Sequence, residues 1–171
     1  MELMPAGKEL VNDAADNVCF ACSRTNPLGL RMRFYDDGKV VRSTLTLDER
    51  YGGSHANVIS GIVFTAMEEA LYYTAYARLG EHGRIATEGP TLLAFQHDVK
   101  VGKPFVVECE VVGDHGDVMD LRARVVQAGG DCAKMAWSYR RMTREEIERE
   151  LARPDLEQSI REDHAEALAR R

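Results

Sequence analysis

Two adjacent carboxylates, Glu68 and Glu69, stand inside the most apolar stretch of the chain, Tyr51 to Tyr76. A carboxylate is costly to bury unless it reaches a partner, solvent or a ligand, so acidic residues in such a context are candidates for proton transfer or ligand contact. On spacing alone Glu68 also fits a helix residue that simply finds a charged partner, and Glu69, about a quarter turn around the same helix, reads as structural. Upstream, Ser60 and Gly61 mark the place where the apolar helical pattern begins. A helix start presents unsatisfied N–H groups and the positive end of the macrodipole. The loop before it carries His55, either a surface histidine or an acid–base group, and Asn57, first of all a good N-cap for the coming helix. Cys19 and Cys22 have the spacing of a zinc or redox pair. No second Cys or His pair follows at a suitable interval, and Cys109 and Cys132 stand alone, so no metal is expected.

These residues need a scaffold, and the pattern of the chain supplies one. Ile59, Ile62, Val63, Ala66, Met67, Ala70 and Leu71 recur at helical spacing and predict a helix from about Val58 to Leu79, apolar over much of its circumference and therefore buried. Before it, residues 30–37 and 39–47 alternate as two antiparallel strands around an Asp37-Gly38 hairpin turn. After it, residues 84–99 read as a strand interrupted at Gly89-Pro90, and three more strands follow as a meander turning at His115-Gly116 and Gly129-Gly130. Lys8 to Ala15 predicts a short N-terminal helix. The expected architecture is α+β, an antiparallel sheet wrapped around one long central helix. From Thr143 the composition shifts to a charged helical tail, opened by a Thr143/Glu146 capping box and broken at Pro154. The expected segments are 1–18, a domain over 19–142 and the tail over 143–171.

Composition narrows the classes further. With 171 residues, 44% hydrophobic and 29% charged, the chain suits one well-cored domain. No run reaches the roughly 18 apolar residues of a membrane span, and no secretory signal opens the sequence, so a cytoplasmic location is expected, away from membranes. A formal net charge of −6 argues against nucleic acid as a partner.

Two stretches carry a resemblance to a known family. CFACSRTNPLGLRMRFYDDG is similar to a Cys-Phe-x-Cys-Gly-x-x-Asn-Pro-x-Gly-Leu lead-in, with Ser23 where glycine is common. ERYGGSHANVISGIVFTAMEEAL is similar to a loop and helix start in which a His-Gly-Gly triplet precedes an acidic pair. Together, and in this order, they resemble the hotdog-fold acyl-CoA thioesterases of the phenylacetate-pathway (PaaI-like) branch, over roughly residues 19 to 142. The resemblance implies a hotdog fold, hydrolysis of a CoA thioester without a metal or redox cofactor, and a site shared between protomers of a homodimer or homotetramer. It places Glu68 at the catalytic carboxylate position and Ile59, Ser60 and Gly61 at the triplet, so Ile59 stands where histidine is usual. His55 and Asn57 are the polar groups nearest to that gap. Lys100, Lys103, Arg122, Arg124, Arg140 and Arg141 are solvated charges or contacts for the phosphates of CoA. The alternative is a hotdog protein that binds acyl-CoA or a similar ligand without turning it over.

Overall fold

The structure is a computed structural model and describes residues 7–11, 16–79, 85–156 and 158–169. Its strands are β1 (Lys8–Leu10), β2 (Phe34–Asp36), β3 (Val40–Leu45), β4 (Ile85–Phe95), β5 (Phe105–Asp114), β6 (Val118–Gln127) and β7 (Gly130–Arg141), with helices α1 (Ser60–Leu79), α2 (Arg144–Leu151) and α3 (Gln158–Ala169). The seven strands form one sheet in the order β1-β2-β3-β5-β6-β7-β4, antiparallel at every pairing. β1 and β4 are the free edges. The sheet curls around α1, which packs against β3, β5, β6 and β7.

Alternation along each strand decides which residues meet the helix. Val41, Leu45, Phe105, Val107, Cys109, Leu121, Ala123, Val125, Ala133, Met135 and Tyr139 form the inner face and are buried against Val63, Ala66, Met67, Ala70, Leu71 and Tyr73. Tyr73 stacks on Phe34 at 4.1 Å between ring centroids. Tyr72 and Tyr76 pack partly buried against the same core. On the opposite face the register brings Arg42, Glu108 and Arg124 side by side. Glu108 accepts from Arg42 Nε at 3.0 Å and from Arg124 Nη2 at 2.6 Å, while Arg122 pairs with Glu110 at 2.6 Å. The outer-face arginines are therefore held by carboxylates on the sheet itself.

Most predicted boundaries match: the hairpin at Asp37-Gly38, the helix end at Leu79 and the meander turns. Gly89 takes φ +70°, and the register of β4 against β7 shifts between Glu88 and Leu92, as an interruption at Gly89-Pro90 requires. Two expectations need correction. Lys8–Leu10 is a strand, not the start of a helix, because pairing with the free edge of β2 satisfies its backbone where a short isolated helix could not support its own nucleation; the rest of that predicted helix, residues 12–15, lies outside the described residues. The first predicted strand is also shorter, since Arg31 at φ +53° breaks the extended run and the N–H groups of Leu30 and Met32 donate to Phe20 and Ala21 carbonyls at 2.7 and 2.8 Å.

The tail is helical, with both halves of the capping box formed between Thr143 and Glu146. Arg140 grips Glu146 through Nη1 and Nη2 at 2.8 and 2.6 Å, tying α2 to β7. Ile147 is fully buried, and Arg161 donates to the carbonyls of Leu151 and Arg153 at 2.6 and 2.7 Å, joining α3 to the end of α2.

One ion pair ties the central helix to the sheet. Arg78 meets Asp36 through two hydrogen bonds of 2.5 and 2.7 Å, with the side chains 19% and 14% exposed. The guanidinium holds the Asp36 carboxyl below its ordinary range, against a smaller opposing effect of burial. A depressed carboxyl contributes stability that is present above its unfolded value of about 3.9 and is lost as pH falls through the lower folded value. Arg78→Met leaves the partly buried carboxylate without its cation, which should cost about 1–3 kcal/mol near neutrality. Denaturant unfolding should show the gap between variant and wild type closing as the medium is acidified past the ordinary carboxylate range. A gap that is constant with pH would mean that the loss is packing alone.

Candidate active site

The start of α1 is pinned from three sides. Val58 N–H donates to Val99 O at 2.7 Å, Ile59 N–H to Tyr51 O at 3.0 Å, and Tyr51 Oη to the carbonyls of Leu28 and Gly29 at 3.1 and 3.2 Å. The first helical bonds run from Ile62 and Val63 N–H to Ile59 O. The N–H groups of Ser60 and Gly61 thus stay outside the helical ladder, as first-turn groups must. Both residues are exposed, and Ser60 lines a cleft of about 130 Å³ together with Val58, Val63 and residues 95–99. An anion or a polarised carbonyl fits such a place.

The loop before the helix is bent by two residues in the left-handed region, His55 at φ +58° and Ala56 at φ +55°. Side chains other than glycine adopt this conformation at a cost, and only where the surroundings impose it. His55 is exposed, and Ile59, 48% exposed, follows four residues later, just ahead of the helix. Asn57 is not the N-cap of α1, since the helix begins only at Ser60. Its side chain instead donates to Asp98 Oδ2 at 2.7 Å and accepts from Lys100 Nζ. This pairing crosses between two loops, so the Asn57 amide is spent on holding Lys100 and Asp98 together. Lys103 sits in the neighbouring turn, where Gln127 donates to the carbonyls of Lys100 and Lys103, each at 3.2 Å. Arg140 and Arg141 are engaged by Glu88, Glu146 and Asp117. Of the cations considered for a phosphate, Lys100 and Lys103 alone lie on this loop cluster.

Glu68 and Glu69 stand two turns further along α1. Eight residues at 1.5 Å each put Glu68 about 12 Å along the axis from Ser60. Both side chains are partly buried, and neither has a cationic partner among the described residues. Burial raises the Glu68 pKa, with a further push from negative charge at Cys19. Tyr139, buried on the inner face of β7, carries a hydroxyl with no hydrogen-bond partner among the described residues; its pKa is raised by burial and then by the charge of Glu68. Trp137 stands two residues before it with an equally unpartnered indole N–H. An unpaired buried donor is costly to maintain, and Tyr139 lies close enough to feel the charge of both carboxylates.

The sequence did not reveal what Glu69 touches. Cys19 Sγ lies 3.6 Å from Glu69 Oε1, and Cys22 N–H donates to Cys19 Sγ at 3.4 Å. Asn17 completes the group, accepting from Cys19 N–H at 2.9 Å and reaching Cys22 Sγ at 3.7 Å. The contact joins residues 50 apart, a distance at which spacing carries no signal.

The sequence matches no protein-family model and no curated protein sequence. The fold, by contrast, is shared with solved structures. A thioesterase superfamily protein, RHA08564, is 18% identical and superposes with a TM-score of 0.59 over 68% of this chain and 60% of its own length, so the present chain spans less than two thirds of that protein. PaaI from the phenylacetic acid degradation operon of E. coli is 14% identical with a TM-score of 0.57, over 67% of this chain and 81% of that one. Thioesterase HI1161 of Haemophilus influenzae is 12% identical with a TM-score of 0.59, over 70% and 83%. At these identities the likeness speaks for the fold: the chain has the hotdog fold of the thioesterase superfamily and PaaI structures.

Proposed function

We propose that this protein hydrolyses acyl-CoA thioesters at a site completed by two protomers, with Glu68 of one facing the α1 start of the other. The observation that carries the reading is the separation within one chain. Glu68 and the free N–H groups of Ser60 and Gly61 are about 12 Å apart along a rigid helix, too far to act on one carbonyl. A twofold partner with its helix antiparallel brings each carboxylate opposite the other helix start, which makes two equivalent sites.

In that arrangement the chemistry follows from the environment of each group. The Ser60 and Gly61 N–H groups hold the thioester oxygen as it becomes an oxyanion. Glu68, a stronger base for being half-buried and without a cation, takes a proton from water as the water oxygen attacks the carbonyl carbon. The oxyanion then collapses and the C–S bond breaks; the hydroxyl from water stays on the acyl carbon as part of the carboxylic acid, and the CoA sulfur leaves as the thiol by taking the proton from Glu68. Lys100 and Lys103 face the phosphates, and His55, Asn57 and Ile59 form the rim over which the thioester enters. The free edge strand β4 exposes Leu92, Leu93 and Phe95 at 68%, 39% and 47%, an apolar edge suited to an isologous partner. Two protomers paired there form the dimer, and the tetramer is a pair of such dimers.

A thiol-release assay over short, aromatic and long acyl-CoAs tests the reading. Turnover of at least one class is expected. Saturable binding of acyl-CoA with no thiol release would favour the non-catalytic binder, a reading supported by Ile59 in place of histidine.

A further inference from the structure

We propose that Cys19, Cys22 and Glu69 form a binding site for one thiophilic divalent cation, Zn²⁺ being the natural occupant, which clamps the N-terminal loop to the central helix. Their donor atoms, one from each residue, all lie within 4.8 Å of one another. Zinc bonds of about 2.3 Å to sulfur and 2.0–2.2 Å to a carboxylate oxygen set tetrahedral S···O edges near 3.5 Å and S···S edges near 3.8 Å. The 3.6 Å between Cys19 Sγ and Glu69 Oε1 is already such an edge.

The frame around the three donors is fixed independently of them. Ser23 N–H donates to Cys19 O at 3.2 Å, and the Leu30 and Met32 N–H bonds to Phe20 and Ala21 hold the loop between the cysteines flat against the next segment. The sulfurs receive N–H donors from the Cys22 backbone and the Asn17 side chain, which is how thiolate ligands are oriented and their charge is spread. Glu69 arrives on the least deformable element of the fold.

Charge gives the second, independent argument. Two thiolates and a carboxylate meet at the edge of the core with no Lys or Arg side chain against them among the described residues, and Glu68 adds a further carboxylate next door. Such a set is stable only with protons or a cation. A divalent ion removes the need for those protons. Thiolate donors select zinc over magnesium or calcium, and three protein ligands leave a fourth position for water or another donor.

The test uses the full chain, purified under reducing conditions and stripped with a chelator. Zn²⁺ titrated against a chromophoric chelator should bind at one ion per chain and raise the melting temperature. Co²⁺ in its place should give thiolate-to-cobalt charge-transfer absorption with the visible bands of a tetrahedral centre. Cys22→Ser should abolish binding and Glu69→Gln should weaken it by about tenfold or more, with Cys132→Ser as the unaffected control. Should Cys22→Ser fail to fold, the cobalt spectrum of the unmodified chain and the Glu69→Gln affinity still decide. Absence of charge-transfer absorption, or equal affinity in Glu69→Gln and the unmodified chain, would overturn the proposal. So would a Cys19–Cys22 disulfide that forms in air while added zinc fails to bind the reduced protein, an outcome that identifies a redox pair.

Discussion

Glu68→Gln should lower thioester turnover by about 10²- to 10⁴-fold, the range of a lost general base, while leaving the fold and substrate affinity nearly unchanged. The substitution keeps size and helix propensity and removes only the charge. Stability should if anything rise slightly, because Glu68 is partly buried without a cationic partner and its pKa is raised by that burial. Glu69→Gln separates the two carboxylates: it should weaken zinc binding and cost turnover far less, since Glu69 turns toward Cys19. Steady-state kinetics with circular dichroism as a folding check decides the matter. Equal turnover in Glu68→Gln and wild type, both folded, would remove Glu68 from the chemistry and move the weight to His55 or to ligand binding without turnover.

The second large effect lies at the sheet edge, far in sequence from either carboxylate. Replacing Leu92 and Leu93 together by lysine puts like charges opposite one another across a twofold edge. Sedimentation should show dimers dissociating to monomers. Turnover should fall by about 10²-fold or more, because each site then lacks either its base or its oxyanion donors. The side chains are exposed in the single chain, so the monomer should remain folded. A variant that dissociates yet keeps full activity would place the whole site inside one protomer.

The sequence was informative where structure is local. The helix period, the Asp37-Gly38 turn, the Gly89-Pro90 interruption and the Thr143 capping box are each written in a few neighbouring residues, and each appears in the structure. It was silent where partners are distant. Asn57 reads as an N-cap from its neighbours, yet Asp98, 41 residues away, claims its amide. Glu69 reads as a structural neighbour of Glu68 because the cysteine that touches it lies 50 residues earlier. β1 departs from the helical expectation for the same reason: a three-residue strand exists only because β2 offers an edge, and nothing within Lys8–Leu10 announces it. Ser60, Gly61 and Glu68 are candidates by motif order and a shared site is what the resemblance implies, while the distance of about 12 Å along α1, which supports that reading, is a matter of helix geometry.

Mixing two crippled variants tests the shared site most directly. Glu68→Gln removes the base, and Ser60→Pro removes one helix-start N–H at the first helical position, where proline is well tolerated and where a lost oxyanion donor should cost about 10²- to 10³-fold. If each site takes its base from one protomer and its N–H groups from the other, a mixed dimer carries one doubly damaged site and one intact site. Unfolding and refolding an equimolar mixture should therefore restore about a quarter of wild-type turnover, because about half of the dimers are mixed and half of their sites are whole. A refolded mixture no more active than the average of its two components would contradict the account.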